Sequence, residues 1–196
     1  TRLINETGTK DVTALQSKAN ALYRLGRYAE AIAPLKELYD ADGGVNQNVA
    51  AMLYDSYTKT NQKADAAKIK ASMDKKLLDQ VSANPTDKNA QAKLLINYAS
   101  TAQYEKAAKL FDEMNAKGQI TTLNEYEAGY ISHINLPEHE AQTIKIINDG
   151  MQKKIILPSS SVYQVLGQAY YFSDKAQLAI DAWSKGAALS TNGEQD

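Results

Sequence analysis

The chain contains no cysteine among its 196 residues, and that absence alone excludes disulfides, thiolate metal sites and a cysteine nucleophile. It also fits an exported bacterial protein, so a periplasmic location is expected, with the cytoplasm as the alternative. No window approaches the roughly 18 to 20 apolar residues of a membrane-spanning helix, and membrane insertion is not expected. Neither sign of charge dominates. With 22 Lys and Arg against 23 Asp and Glu, the net charge of -1 offers no basic field for a phosphate backbone. Nucleic acid is therefore not an expected partner. Only four prolines and ten glycines occur, and several fall at junctions: Gly43-Gly44, Pro85, Pro137 and Pro158. The first residues, Thr1 to Asn5, are neither an initiator Met nor a signal peptide, and a fragment of a longer chain is expected.

Ala, Leu, Lys, Gln and Glu dominate what is present, which favours helix throughout. The length suits one compact domain or one stack of repeats. The segment LQSKANALYRLGRYAEAIAPLKELYD, residues 15 to 40, carries an apolar stripe of Leu15, Ala19, Leu22 and Leu25. A turn at Gly26 follows, then a second stripe of Tyr28, Ala31, Ile32, Leu35 and Leu38. Two amphipathic helices joined by so short a turn must pack antiparallel. Residues 162 to 189 repeat the plan, with Leu166, Gly167 and Tyr170 in a first helix and Ala179, Trp183 and Gly186 in a second.

These hairpins resemble the tetratricopeptide repeat, a helix-turn-helix unit of about 34 residues. Tyr163, Leu166, Gly167, Tyr170, Ala179, Trp183 and Gly186 stand at the marked positions of that repeat; in the first hairpin Gly26, Tyr28 and Ala31 match. Small second-helix residues anchor three further units at Ala66, Ala107 and Ala141, so that the anchors from Ala31 to Ala179 fall 35, 41, 34 and 38 residues apart. The resemblance implies an all-α, right-handed superhelical solenoid of about five antiparallel helix pairs. As one domain over residues 1–196 its hairpins would span approximately 12–42, 46–82, 87–117, 121–154 and 159–190. The long second interval predicts a lengthened helix around Lys75 to Val81, before the Asn84-Pro85 break. Local signals agree: Thr122 with Glu125 suits a capping box, Ser159 to Ser161 suits a helix start, and Pro137 suits a first helical turn.

Residues able to do chemistry are few. His133 and His139 flank the fourth turn beside Glu138 and Glu140, at a spacing that matches no helical ligand pair. Neighbouring carboxylates such as Asp112-Glu113 point to different helix faces and suit solvation better than acid–base work. The run Ser159-Ser160-Ser161 lacks a nucleophile-elbow context, and Gly43-Gly44 lacks the Gly-Lys-Ser/Thr of a phosphate loop. No catalytic, cofactor or metal site is expected.

The resemblance places partner binding on the concave surface lined by each first helix. Carried across, that surface takes Gln16, Asn20, Tyr23 and Arg24 from unit one, and Asp55, Thr58 and Lys59 from unit two. Asn89, Ile96 and Ser100 follow from unit three, Tyr126, Tyr130 and His133 from unit four, and Gln164, Gln168, Tyr171 and Phe172 from unit five. Aromatics and long amides of this kind contact a peptide well, although Tyr126, Tyr130 and Tyr171 could equally pack between helices. The carboxylate clamp of chaperone-binding relatives is not expected, because Asn20 suits it while Gln16, Asn89 and Lys93 depart from it.

The function implied is an adaptor or scaffold that binds a partner polypeptide without catalysis. Alternatives are a regulatory or substrate-presenting domain of a larger enzyme, or a self-associating module. The style of the chain is also similar to periplasmic tetratricopeptide proteins of Gram-negative bacteria, some of which accompany TonB-ExbB-ExbD systems. The ending AALSTNGEQD, residues 187 to 196, reads as the opening of a further repeat, which predicts an exposed apolar C-terminal edge and a candidate homodimer contact there.

Overall fold

A computed structural model describes residues 8–191, with side chains over 12–190. The readings made for Thr1 to Asn5 and for residues 192 to 196 lie outside the described residues. Ten α-helices and no strand occupy the described chain: α1 Gly8–Arg24, α2 Tyr28–Ala41, α3 Gln47–Lys59, α4 Lys63–Ala83, α5 Lys88–Ser100, α6 Tyr104–Ala116, α7 Leu123–Ile134, α8 Glu140–Gln152, α9 Ser160–Phe172 and α10 Ala176–Thr191. They fall into two compact units, residues 1–79 and 80–196, with α4 running through the division. The lengthened helix expected before Pro85 is α4, unbroken over 21 residues.

A common device closes four of the five helical hairpins. Between an odd-numbered helix and the even-numbered helix that follows it lie three residues, one of them left-handed: Gly26 at φ 70°, Asn61 at 59°, Ala102 at 56° and Asp174 at 57°. The next N–H then turns back to a carbonyl of the ending helix, Arg27 to Leu22 at 3.0 Å and Gln103 to Tyr98 at 2.8 Å, satisfying groups the helix end leaves unpaired. Five residues beyond each left-handed position stands a small buried side chain: Ala31, Ala66, Ala107 and Ala179.

The α7–α8 turn departs from this plan. It has five residues, 135 to 139, and its left-handed residue is Glu138 at φ 63°. The buried small residue is consequently Thr143, fully buried with its hydroxyl donating to the His139 carbonyl at 3.1 Å, while Ala141 is exposed. The expected anchor at Ala141 is corrected to Thr143, giving intervals of 35, 41, 36 and 36 residues. Pro137 likewise lies in the turn and not in the first turn of α8, whose N-cap is His139. Pro34, by contrast, is buried inside α2.

The first unit buries Ala19, Leu22, Ala31, Leu35, Leu38, Val49, Leu53, Tyr57 and Ala66 in one cluster. Tyr39 of α2 donates to Ser72 of α4 at 2.8 Å, a bond between successive hairpins 33 residues apart. In the second unit α5 packs on α6 and α7, α6 on α7, α7 on α8, α8 on α9 and α9 on α10. Leu95, Phe111, Met114, Tyr126, Ile147 and Ile156 fill the spaces between them. Side chains fix the helix starts. Asn46 and Asp87 cap α3 and α5, Ser159 caps α9, and Thr122 with Glu125 forms the full capping box on α7.

Candidate partner surfaces

In the first unit a side-chain hydrogen bond joins the odd-numbered helices α1 and α3, each of which packs on α2. Tyr23 of α1 donates to Asp55 Oδ2 of α3 at 2.9 Å, and burial together with that carboxylate pushes the phenol up to about 12. Around this pair Gln16, Arg24, Thr58 and Lys59 are exposed and Asn20 is half-buried. Two of the residues assigned to the binding face are thus each other's partners, and the remainder form a polar surface.

Within the second unit the structure divides the expected residues sharply. Asn89, Ile96, Ser100, Gln164, Gln168, Tyr171 and Phe172 are exposed. Tyr126, Tyr130 and His133, placed on the binding face by the sequence, lie inside, at 1 %, 5 % and 0 % exposure. The cause is Gly129. It carries no side chain where Phe111 of α6 crosses α7, so that a Cβ there would come within 2.3 Å of the Phe111 ring. Helix α7 therefore sinks against α6, and the residues on either side of Gly129 sink with it. Phe111 meets Tyr126 and His133 edge-on, with ring centroids 6.4 and 6.1 Å apart.

Tyr126 serves a structural purpose from that position. Its hydroxyl donates to Asp149 Oδ2 at 2.5 Å and accepts from Lys153 Nζ at 3.0 Å, while Lys153 also pairs with Asp149 at 2.8 Å. Lys153 is raised to about 12, first by Asp149 and then by Tyr126, and Asp149 is lowered, first by Lys153 and then by Tyr126. The triad pins α7 to the end of α8 beside a cleft of about 160 Å³. Among the described residues, no group of three or more His, Asp or Glu is arranged to hold a metal ion.

The exposed large aromatics, Tyr171, Phe172 and Trp183, gather at α9 and α10. Gln164, Gln168 and Tyr171 follow one another at helical spacing along α9, and Phe172 extends the row. Tyr171 contacts Phe172 and Trp183, with ring centroids 5.6 and 5.9 Å apart. Ile180 lies on the same face of α10 three residues before Trp183 and is 54 % exposed. Trp183 occupies the repeat position of Leu35, Phe111 and Ile147, four residues past the small anchor. Those three are buried, whereas Trp183 is 39 % exposed. Phe111 turns outward onto the next helix. Trp183 lies back on Gly167 of its own hairpin, where a Cβ would approach its ring to 2.3 Å, and its indole N–H donates to the Gln164 carbonyl at 3.3 Å. The sequence placed Trp183 at a marked position of the repeat and did not anticipate its exposure. The cause lies in which neighbour is a glycine, Gly129 for Phe111 and Gly167 for Trp183.

An all-α fold of antiparallel helix pairs, closed by recurrent short turns and anchored by small residues in each second helix, is that of the tetratricopeptide-like repeat proteins. Solved structures sharing it include a Podospora anserina putative kinesin light chain with nearly identical TPR-like repeats: TM-score 0.63, 13% identity, 95% of this chain and 98% of that one covered. MamA of Desulfovibrio magneticus RS-1, residues 41 to the end, matches at TM-score 0.56 and 13% identity, covering 94% and 97%. MamA of MSR-1 matches at TM-score 0.53 and 18% identity, covering 93% and 98%. No family model and no curated protein matches the sequence.

Proposed function

We propose that the chain is a protein-interaction scaffold and that its α9–α10 face receives a partner polypeptide. The observation that carries this reading is the contiguous exposed cluster of Tyr171, Phe172 and Trp183, with Ile180 and the amides of Gln164 and Gln168 beside it. Large aromatics left in water are costly for a domain to carry, and they are what protein-binding centres use. In the buried equivalents Leu35, Phe111 and Ile147 the same repeat position is covered by packed helices. An amphipathic helix is therefore the form of partner that suits the face, with a small residue set against the indole as Gly129 is set against Phe111. The reading assigns the chain no reaction. The same face would serve a regulatory domain of a larger enzyme or a contact between copies.

Site-specific photocrosslinking tests it. A benzoylphenylalanine replacing Phe172 should yield a discrete adduct that is lost in Tyr171→Ser, while the same probe replacing Lys117 should yield none. Equal labelling at both positions, or none at 172, would sink the reading, and an adduct of twice the chain's mass would make the partner a second copy. We also propose a periplasmic location, on the absence of cysteine, and association with a TonB-ExbB-ExbD system as the narrower form of this function. Recovery of the crosslinked partner from the envelope fraction, and its identity, test both.

A further inference from the structure

The turn between α7 and α8 has two residues more than the other four hairpin turns, and the extra length carries His139 back over the end of α7. There its ring stacks on that of His133, with centroids 5.0 Å apart and planes at 29°. The two Nδ1 atoms are 2.7 Å apart. At that distance one nitrogen must be an N–H donor and the other a lone pair, so a single proton lies between them. His133 is fully buried, and its Nε2 makes no aligned hydrogen bond, although Asp112 Oδ1 of α6 lies 3.3 Å away.

We infer that His133 and His139 form a pH-sensitive clasp on the α7–α8 turn, which stays closed with one added proton and opens with the second. The proton count gives the reason. A neutral pair holds two ring protons, one between the Nδ1 atoms and one on an Nε2. A third proton takes the remaining Nε2 and leaves the contact intact. A fourth can go only to the shared position, where two N–H groups on two cationic rings would face each other. The half-buried His139, on the longer turn, is the ring free to move; His133 is held in the core by Phe111.

The surrounding charges fit this sequence of events. Helix α6 supplies Asp112 beside His133, and with Glu105, Lys109 and Glu113 it lines a cleft of about 530 Å³ that also holds Leu136, Pro137 and His139. Glu138 and Glu140 flank His139 in the chain, Glu125 of α7 is occupied by its capping bonds, and the buried side of α5 brings Tyr98 but no charged group. These carboxylates outnumber Lys109 and favour the first proton. Burial, which is the largest influence on His133, lowers its pKa; the His139 charge adds to that and Asp112 opposes it. The clasp is therefore complete above the ordinary histidine value of about 6.5 and is lost as the pH falls below it.

Imidazole nitrogen NMR from about pH 8 to about pH 4, run with amide hydrogen exchange across residues 135–143, tests the clasp. Two coupled protonation steps are expected. The shared Nδ1 proton should survive the first and vanish in the second, and exchange at 135–143 should rise about tenfold with the second step relative to the α10 amides. His139→Asn keeps an N–H donor near the Nδ1 position without titrating, and should hold the turn closed to lower pH. Two rings titrating independently without a shared proton would overturn the proposal. So would acid-induced opening of 135–143 that is unchanged in His139→Asn.

Discussion

Gly129 decides how α6 and α7 meet. Its missing side chain lets the Phe111 ring reach the α7 backbone, and that approach puts Tyr126, Tyr130 and His133 inside. Gly129→Ala forces a ring that is 1 % exposed to find new space in a filled core, and should cost about 1 to 3 kcal/mol, read as a lower urea midpoint at unchanged slope. Gly167→Ala makes as close a contact with Trp183, but that ring is partly in water and can swing outward. Its cost should be smaller, with a change in tryptophan fluorescence as the accompanying sign. Tyr130 separates packing from recognition in the same way. Burial pushes its phenol up to about 12, and Tyr130→Ala should cost about 3 kcal/mol or more. A melt unchanged by that substitution would return Tyr130 to a binding face.

At the scale of the element, each hairpin is a pair of helices and a turn, and the fourth is also stapled by the Tyr126, Asp149 and Lys153 triad. The Asp149 carboxylate is held below its ordinary value, first by Lys153 and then by Tyr126. Its contribution to stability is therefore present above about pH 4, the unfolded value, and lost as the pH falls through the lower folded value. Asp149→Asn should melt below the wild-type protein at neutral pH, with the gap closing as the pH drops under about 4; a gap independent of pH would show that the charge contributes nothing. This scale is also where the sequence was most and least legible. The caps at Ser159 and Thr122, the long α4 and the small residues at Ala31, Ala66, Ala107 and Ala179 all depend on local chemistry, which spacing reports. The two-residue extension ahead of Thr143 left no such trace. Left-handed turn positions are filled by Asn61, Ala102, Glu138 and Asp174 as well as by Gly26, so a glycine marks the close of the first of these turns and of none of the other four. Whether an aromatic on an even-numbered helix is covered, as Phe111 is, or left partly in water, as Trp183 is, depends on a glycine in another helix, and one-dimensional periodicity cannot carry that.

In the whole molecule the pattern of packing is local, since in the second unit each helix rests on helices near it in sequence, and the main partner of α10 is α9. A fold of that kind has stability that adds up from neighbouring interfaces in place of one shared core. Folds of this construction can vary an outer face without disturbing the rest, which is how Tyr171, Phe172 and Trp183 can stay exposed while Phe111 and Ile147 close the interior. Phe111→Ala tests that additivity. Loss of that ring removes the contact between α6 and α7 and opens a cavity against Gly129, Tyr126 and His133, at a cost of about 3 to 5 kcal/mol. If interfaces add locally, amide exchange should accelerate through α5, α6, α7 and α8 and remain near the wild-type rate at the centre of α10. Equal acceleration in α10 would mean that the second unit unfolds as one cooperative body, and the aromatic face would then depend on the interior far more closely than its packing implies.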